Sequence, residues 1–205
     1  MTPASPPLAD RPPDGALRRT VLWVAALNVA YFGVEFAVAV AIGSVALFAD
    51  SVDFLEDASI NLLIAVALGW TARARARLGM ALAGILLVPG LATVWTAWGK
   101  LAAPVPPDPL PLSIAGLGAL AVNLGCALLL VRHRHHRGSL TRAAFLSARN
   151  DALANVAIVA AGLLTAVAWR SAWPDLIVGL GIAALNADAA REVWTAAREE
   201  HAAEA

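Results

Sequence analysis

The segment "ALFADSVDFLEDASINLLIAVALGW", residues 46–70, decides how this chain is read. It has the length and apolarity of a membrane-spanning helix, yet Asp50, Asp53, Glu56 and Asp57 crowd its first half. An acid at the centre of a bilayer costs roughly 2.5–3.5 kcal/mol on the insertion scale. Four in such close succession call for a function. A helix advances about 100° per residue, so Asp50, Asp53 and Asp57 share one face within about 60°, and Glu56 is rotated off that stripe.

The surrounding composition points to a bilayer. The chain has 205 residues, 60% hydrophobic and 15% charged, with a mean hydropathy of +0.69. A soluble domain of this size runs about 45–50% apolar and about 25% charged. Formal net charge is zero, which leaves no basic field for nucleic acid. Cys126 is the single cysteine, so neither an intramolecular disulfide nor a cysteine-rich metal centre is available. The Pro-rich start "MTPASPPLADRPPDG" lacks a charged-then-apolar leader pattern and reads as a disordered tail. The expected class is an all-α, multi-pass membrane protein.

Crossing about 30 Å of hydrocarbon takes around 20 helical residues. Six segments qualify: Val21–Ile42, Val45–Trp70, Leu78–Ala97, Leu112–Val131, Arg142–Trp169 and Pro174–Trp194. The expected organisation is a tail over 1–17, a six-helix transmembrane domain over 18–197 and a short tail over 198–205. Arg11, Arg18 and Arg19 precede the first span; Arg73, Arg75 and Arg77 follow the second; Arg132, Arg134, Arg137 and Arg142 follow the fourth. The opposite loops carry only Lys100 and Arg170. By the positive-inside rule both termini are cytoplasmic and "APVPPDPLP" (103–111) is an external Pro-rich spacer. All seven Trp fall near span ends, as an interfacial belt does. The Ala/Arg-rich composition without targeting signals fits a bacterial inner membrane.

At about 1.5 Å per residue, Asp53 and Asp57 lie roughly 13–20 Å below the external end of their helix. The fifth span brings "SARNDALANVAIVAAG" from the cytoplasmic side, with Ser147, Asn150, Asp151 and Asn155, and places Asp151 roughly 13 Å in. The two clusters reach similar depth. They also echo one another, "DASINLLIA" at Asp57 against "DALANVAIV" at Asp151. The echo is that of an inverted repeat with a midplane site, or of two similar helices without one. Carboxylates gathered there repel one another unless a cation joins them, and Asp with Asn oxygens suits a divalent ion.

These residues resemble a known family. "YFGVEFAVAVAIGSVALFADSVDFLEDASINLL" is similar to the first two spans of the cation diffusion facilitators, with their Gly-Ser-x-Ala-Leu run and second-span His/Asp-x-x-x-Asp motif. That motif falls on Asp53 and Asp57, and its fifth-span counterpart on Ser147 and Asp151. The resemblance implies a metal/proton antiporter working by alternating access as a homodimer, with the metal as cargo and no permanently bound cofactor. Ser147 stands where the family has a stronger ligand, so Asn150 or Ser147 would complete the shell of Asp53, Asp57 and Asp151. A site without His is harder than a usual zinc site, which brings iron, cobalt and manganese in beside zinc and cadmium. The family's usual cytoplasmic C-terminal domain has no counterpart in this sequence.

Other residues keep two readings. Asp50 is an entrance ligand or an outer-vestibule acid; Glu56 is a partner for a basic group or a solvated wall residue. Asn28, Tyr31 and Glu35 share a face and form either a second shell or a packing seam. Asn123, Asn186 and Asp188 read as packing polar groups. His133, His135 and His136 in "RHRHHRG" are a metal-capture loop or, more simply, a solvated basic loop that sets topology. An intramembrane aspartyl protease would need a Gly-x-Gly-Asp motif, which is missing around these acids, so no enzyme is expected. A proton-coupled small-molecule antiporter or proton channel is the alternative to metal transport.

Overall fold

The computed structural model of the chain describes residues 15–67, 74, 77, 81, 91–131 and 138–203. The chain is all-helical, with no strand among the described residues. Helix α1 is Gly15–Ile42, α2 is Val45–Ala67, α4 is Pro109–Val131, α5 is Gly138–Val167 and α6 is Trp173–Ala203. The described part of α3 covers 91–102.

The helix boundaries follow local chemistry. Gly43 takes φ 65°, the left-handed conformation that ends a helix most cheaply at glycine. The Ser44 N–H then donates back to Ala39 O at 3.0 Å, which closes α1. Ser44 caps the next helix, its Oγ accepting from the Leu47 N–H at 3.1 Å. At α4 the cap is Asp108, whose Oδ1 accepts the Leu110 N–H at 3.1 Å, and Pro109 occupies the first turn, where a missing N–H does no harm. The Pro-rich spacer is therefore helical from Pro109 onward, three residues earlier than the span expected from Leu112. Helix α6 runs on to Ala203, so the stretch read as a C-terminal tail continues the helix. Its 31 residues measure about 46 Å, longer than the hydrocarbon is thick, and the charged end "REVWTAAREEH" projects beyond it. The loop bearing His133, His135 and His136 lies outside the described residues.

Burial is inverted relative to a water-soluble protein. Val167 is 85% exposed and Leu128 67%, whereas Glu35, Asp50 and Asn155 are at 0%. Large apolar side chains on the outside with acids inside is the arrangement hydrocarbon requires. Trp23, Trp95, Trp98, Trp169, Trp173 and Trp194 are all exposed near helix ends, as an interfacial belt should be. Among the described residues only α1 and α4 are apolar enough along their length to be recognised as spans by hydropathy, at 1.8 and 2.3. Helix α2 carries too many acids for that, and its neighbours cover them.

Helix α2 is the hub, packing against α1, α4, α5 and α6. Ala39, Ala46, Leu47, Ala49, Leu112, Ala115, Ile158 and Ile182 form the central cluster; Leu17, Val21, Val24, Ile64, Cys126 and Leu130 form another, where the N-terminal half of α1 meets the C-terminal ends of α2 and α4. Small residues set the closest approaches. A Cβ on Gly179 would meet Ala46 N at 2.7 Å and Val45 C at 2.7 Å. Those are backbone atoms of the first turn of α2 and cannot swing away. Gly179→Val should therefore destabilise the fold by about 1–3 kcal/mol or more through overpacking, read as a lower denaturation midpoint in detergent. Gly181→Ala, with open space around its Cβ position, should leave it nearly unchanged.

Candidate metal centre

Helix α2 sets its acids against α1 and α5. Asp50 is fully buried, and Asn155 Nδ2 of α5 donates to its two oxygens at 2.9 and 2.8 Å. One turn further along, Asp53 is half-buried and shares an electrostatic environment with Asp151, Asp50, Glu56 and Asp57. Asp57, 6% exposed, lies within hydrogen-bonding reach of the Asp151 carboxyl. The carboxyl groups of α2 and α5 thus meet in the interior. Asn61 extends the stripe, its Nδ2 donating to Asp57 O at 2.8 Å.

The fit to the expected ligand set is partial. Among the described residues no group of three or more His, Cys, Asp or Glu is placed to enclose a metal ion; the acids meet in pairs along the α2–α5 seam. Ser147 and Asn150 sit in the N-terminal half of α5, and their side chains fall outside the described residues. Glu56 corrects one expectation. It is 8% exposed, hence a buried acid and not a solvated wall residue. Asp188 is exposed and packs nothing, whereas Asn186 Nδ2 donates to Ala49 O at 3.4 Å and ties α6 to α2. Cys126 is buried among apolar neighbours.

The α1 stripe divides between its two readings. Glu35 faces Asp50 across the α1–α2 interface, carboxyl to carboxyl. Tyr31 belongs to packing: its hydroxyl donates to Ala115 O at 2.6 Å, and its ring lies 5.1 Å from that of Phe54. Asn28 donates to Val24 O of its own helix at 3.0 Å.

Sequence reasoning missed Asp175, the residue that holds the site helix in place. Fully buried in the first turn of α6, it accepts from Ser44 Oγ at 2.6 Å, the Val45 N–H at 2.9 Å and the Ala46 N–H at 3.2 Å. Lys100 Nζ completes the cluster, bonding Asp175 Oδ2 at 2.8 Å and Gly43 O at 2.6 Å. The first turn of α2, with its unpaired N–H groups and positive dipole end, is thereby neutralised by a carboxylate from another helix. A signal was present. Lys100 and Asp175 are an acid and a base at the same end of two apolar helices, and each would be costly there without the other.

A family profile described as the cation efflux transmembrane domain matches residues 21–199. The chain belongs to the cation diffusion facilitator family. The match runs from the first helix into the last, so it covers both acid clusters and the Lys100–Asp175 knot. Membership makes the chain a cation efflux transport protein of a membrane, in a family of transporters and not of enzymes. No curated protein matches the chain.

Proposed function

We propose that this facilitator exports a divalent transition-metal ion, zinc-like in class with iron, cobalt and manganese as further candidates, in exchange for protons. The observation that carries the reading is the meeting of Asp57 and Asp151. Two acids far apart in the chain come together inside a shell whose outer surface is Val, Leu and Trp. Acids are the most expensive side chains to put there, and structural polar contacts between membrane helices are usually made by Ser, Thr, Asn or Gln.

In this reading Asp53, Asp57 and Asp151 take the ion, with Asn150 or Ser147 as the further oxygen. Because ligating carboxylates must be deprotonated, metal and protons compete for the same groups. The half-buried Asp53 and Asp151 receive the cation; rocking of the bundle then exposes the site to the other side, where protons displace it. Protonated carboxyls leave the returning site close to neutral. The homodimeric state of the family, and a bacterial inner membrane with both termini cytoplasmic, belong to the same proposal.

Proteoliposomes containing the full chain test it with zinc, cadmium, iron, cobalt, manganese and magnesium under an imposed pH gradient. Gradient-driven flux of at least one metal is the expected result. Metal flux indifferent to the gradient would remove the antiport. No metal flux from folded protein, with protons or organic cations crossing instead, would replace metal by the small-molecule or proton-channel reading.

A further inference from the structure

Glu35 is buried at 0% exposure, and neither of its oxygens has a hydrogen-bond donor. The donors around it are committed elsewhere. The Tyr31 hydroxyl serves Ala115 O at 2.6 Å, and the Asn155 amide serves both oxygens of Asp50. Asn155 Oδ1 is itself buried without a donor. The Glu35 and Asp50 carboxyls lie within hydrogen-bonding reach of one another, acceptor facing acceptor when both are ionised, and leaving a carboxylate uncompensated in the interior is among the costliest things a fold can do.

We propose that Glu35 and Asp50 form a second cation site, one helical turn from Asp53 toward the external end of α2, which holds an oxygen-preferring divalent ion on its way out. Charge counting selects the ligand class. Two carboxylates and one divalent ion sum to zero, as do two carboxylates and two protons, while a monovalent ion alone leaves a net negative charge; a divalent ion is thus the metal that can exchange with protons at this pair. All-oxygen ligation suits a hard or borderline divalent ion. Asn155 is a positioning residue. Its amide grips both Asp50 oxygens and fixes how that carboxylate is presented to Glu35, from the same helix that carries Asp151. The two sites are thus linked through α2 and α5, and an ion released from Asp57 and Asp151 has a second pair of carboxylates waiting one step outward.

The inference rests on the efflux reading, and its test separates the two. Manganese(II) and zinc(II) bound to the purified full chain are counted by equilibrium dialysis for the wild type, Glu35→Gln and Asp151→Asn, with proteoliposome flux measured in parallel. The wild type should hold two ions per chain and each variant one; flux in Glu35→Gln should fall at least tenfold. A Glu35→Gln protein that binds as many ions as the wild type, or a wild type that binds one ion which Asp151→Asn alone removes, overturns the second site while leaving transport intact. A wild type that transports yet binds no countable ion overturns it as well. A wild type that neither binds nor transports metal defeats the efflux reading itself. Should Glu35→Gln fail to fold, Asp50→Asn takes its place, with one ion expected and two ions fatal to the proposal.

Discussion

Asp57→Ala should abolish metal flux while leaving a folded, monodisperse protein in detergent. Asp57 and Asp151 face one another across the α2–α5 seam, so removing either breaks the facing pair and leaves two of the three carboxylates proposed to hold a doubly charged ion. Groups that merely orient a metal ligand are worth about 10–100-fold in affinity, so loss of a direct ligand should reach at least about 100-fold in flux. Asp151→Ala should match it. The double variant should be no worse than either single, because the two act as one unit. Survival of the fold is expected on physical grounds: the change deletes a charge from the interior, and Ala is a good helix former. Substantial flux remaining in Asp57→Ala would move the site elsewhere along the seam, and additive losses in the double variant would mean two independent roles.

The second large effect concerns stability. Asp175→Ala should destabilise the protein by about 3–5 kcal/mol, the usual consequence of stripping one partner from a buried ion pair. Lys100, at 8% exposure, would keep only Gly43 O. The first turn of α2 would lose its acceptors for Ser44, Val45 and Ala46 at the same time, and loss of a cap adds about 1 kcal/mol. Lys100→Met should cost less, because Asp175 would still hold three donors. The contrast is the informative part: chemical denaturation in detergent should rank Asp175→Ala well below Lys100→Met. Equal midpoints for the two would mean that the ion pair dominates and the cap contributes little.

The six-helix architecture was legible because composition, arginine distribution and tryptophan placement are all imposed by the bilayer and all act over long stretches. The α1–α2 turn was legible too, since Gly43-Ser44 is an end signal followed by a start signal. The acids of α2 and α5 could be assigned to the interior from their energetic cost alone. Finer matters were not legible. The sequence could not show that Asn155 grips Asp50, because the two are brought together only by the tilt and rotation of α2 against α5. It placed Glu56 off the working stripe, correctly as an angle, but α2 is covered by four helices, so even the off-stripe position is buried. Asp175 escaped notice because a single acid at the start of a helix usually caps that helix; here it caps a different one. Apolarity was least informative where the protein is most specialised, since α2 and α5 carry the acids and α1 and α4 carry the hydropathy.

The distance along the chain between α2 and its cap has a bearing on biogenesis. The N–H of Val45 finds its acceptor 130 residues downstream, in α6, which is made after the other five helices described above. During synthesis the acid-bearing helix must therefore wait, its first turn open and Lys100 unpaired, until α6 has entered the membrane. Chains truncated before residue 173 would retain both acid clusters and still lack the clasp that seats one of them. Such chains should be substrates for membrane proteases, and the cargo site should become complete only once α6 has been made.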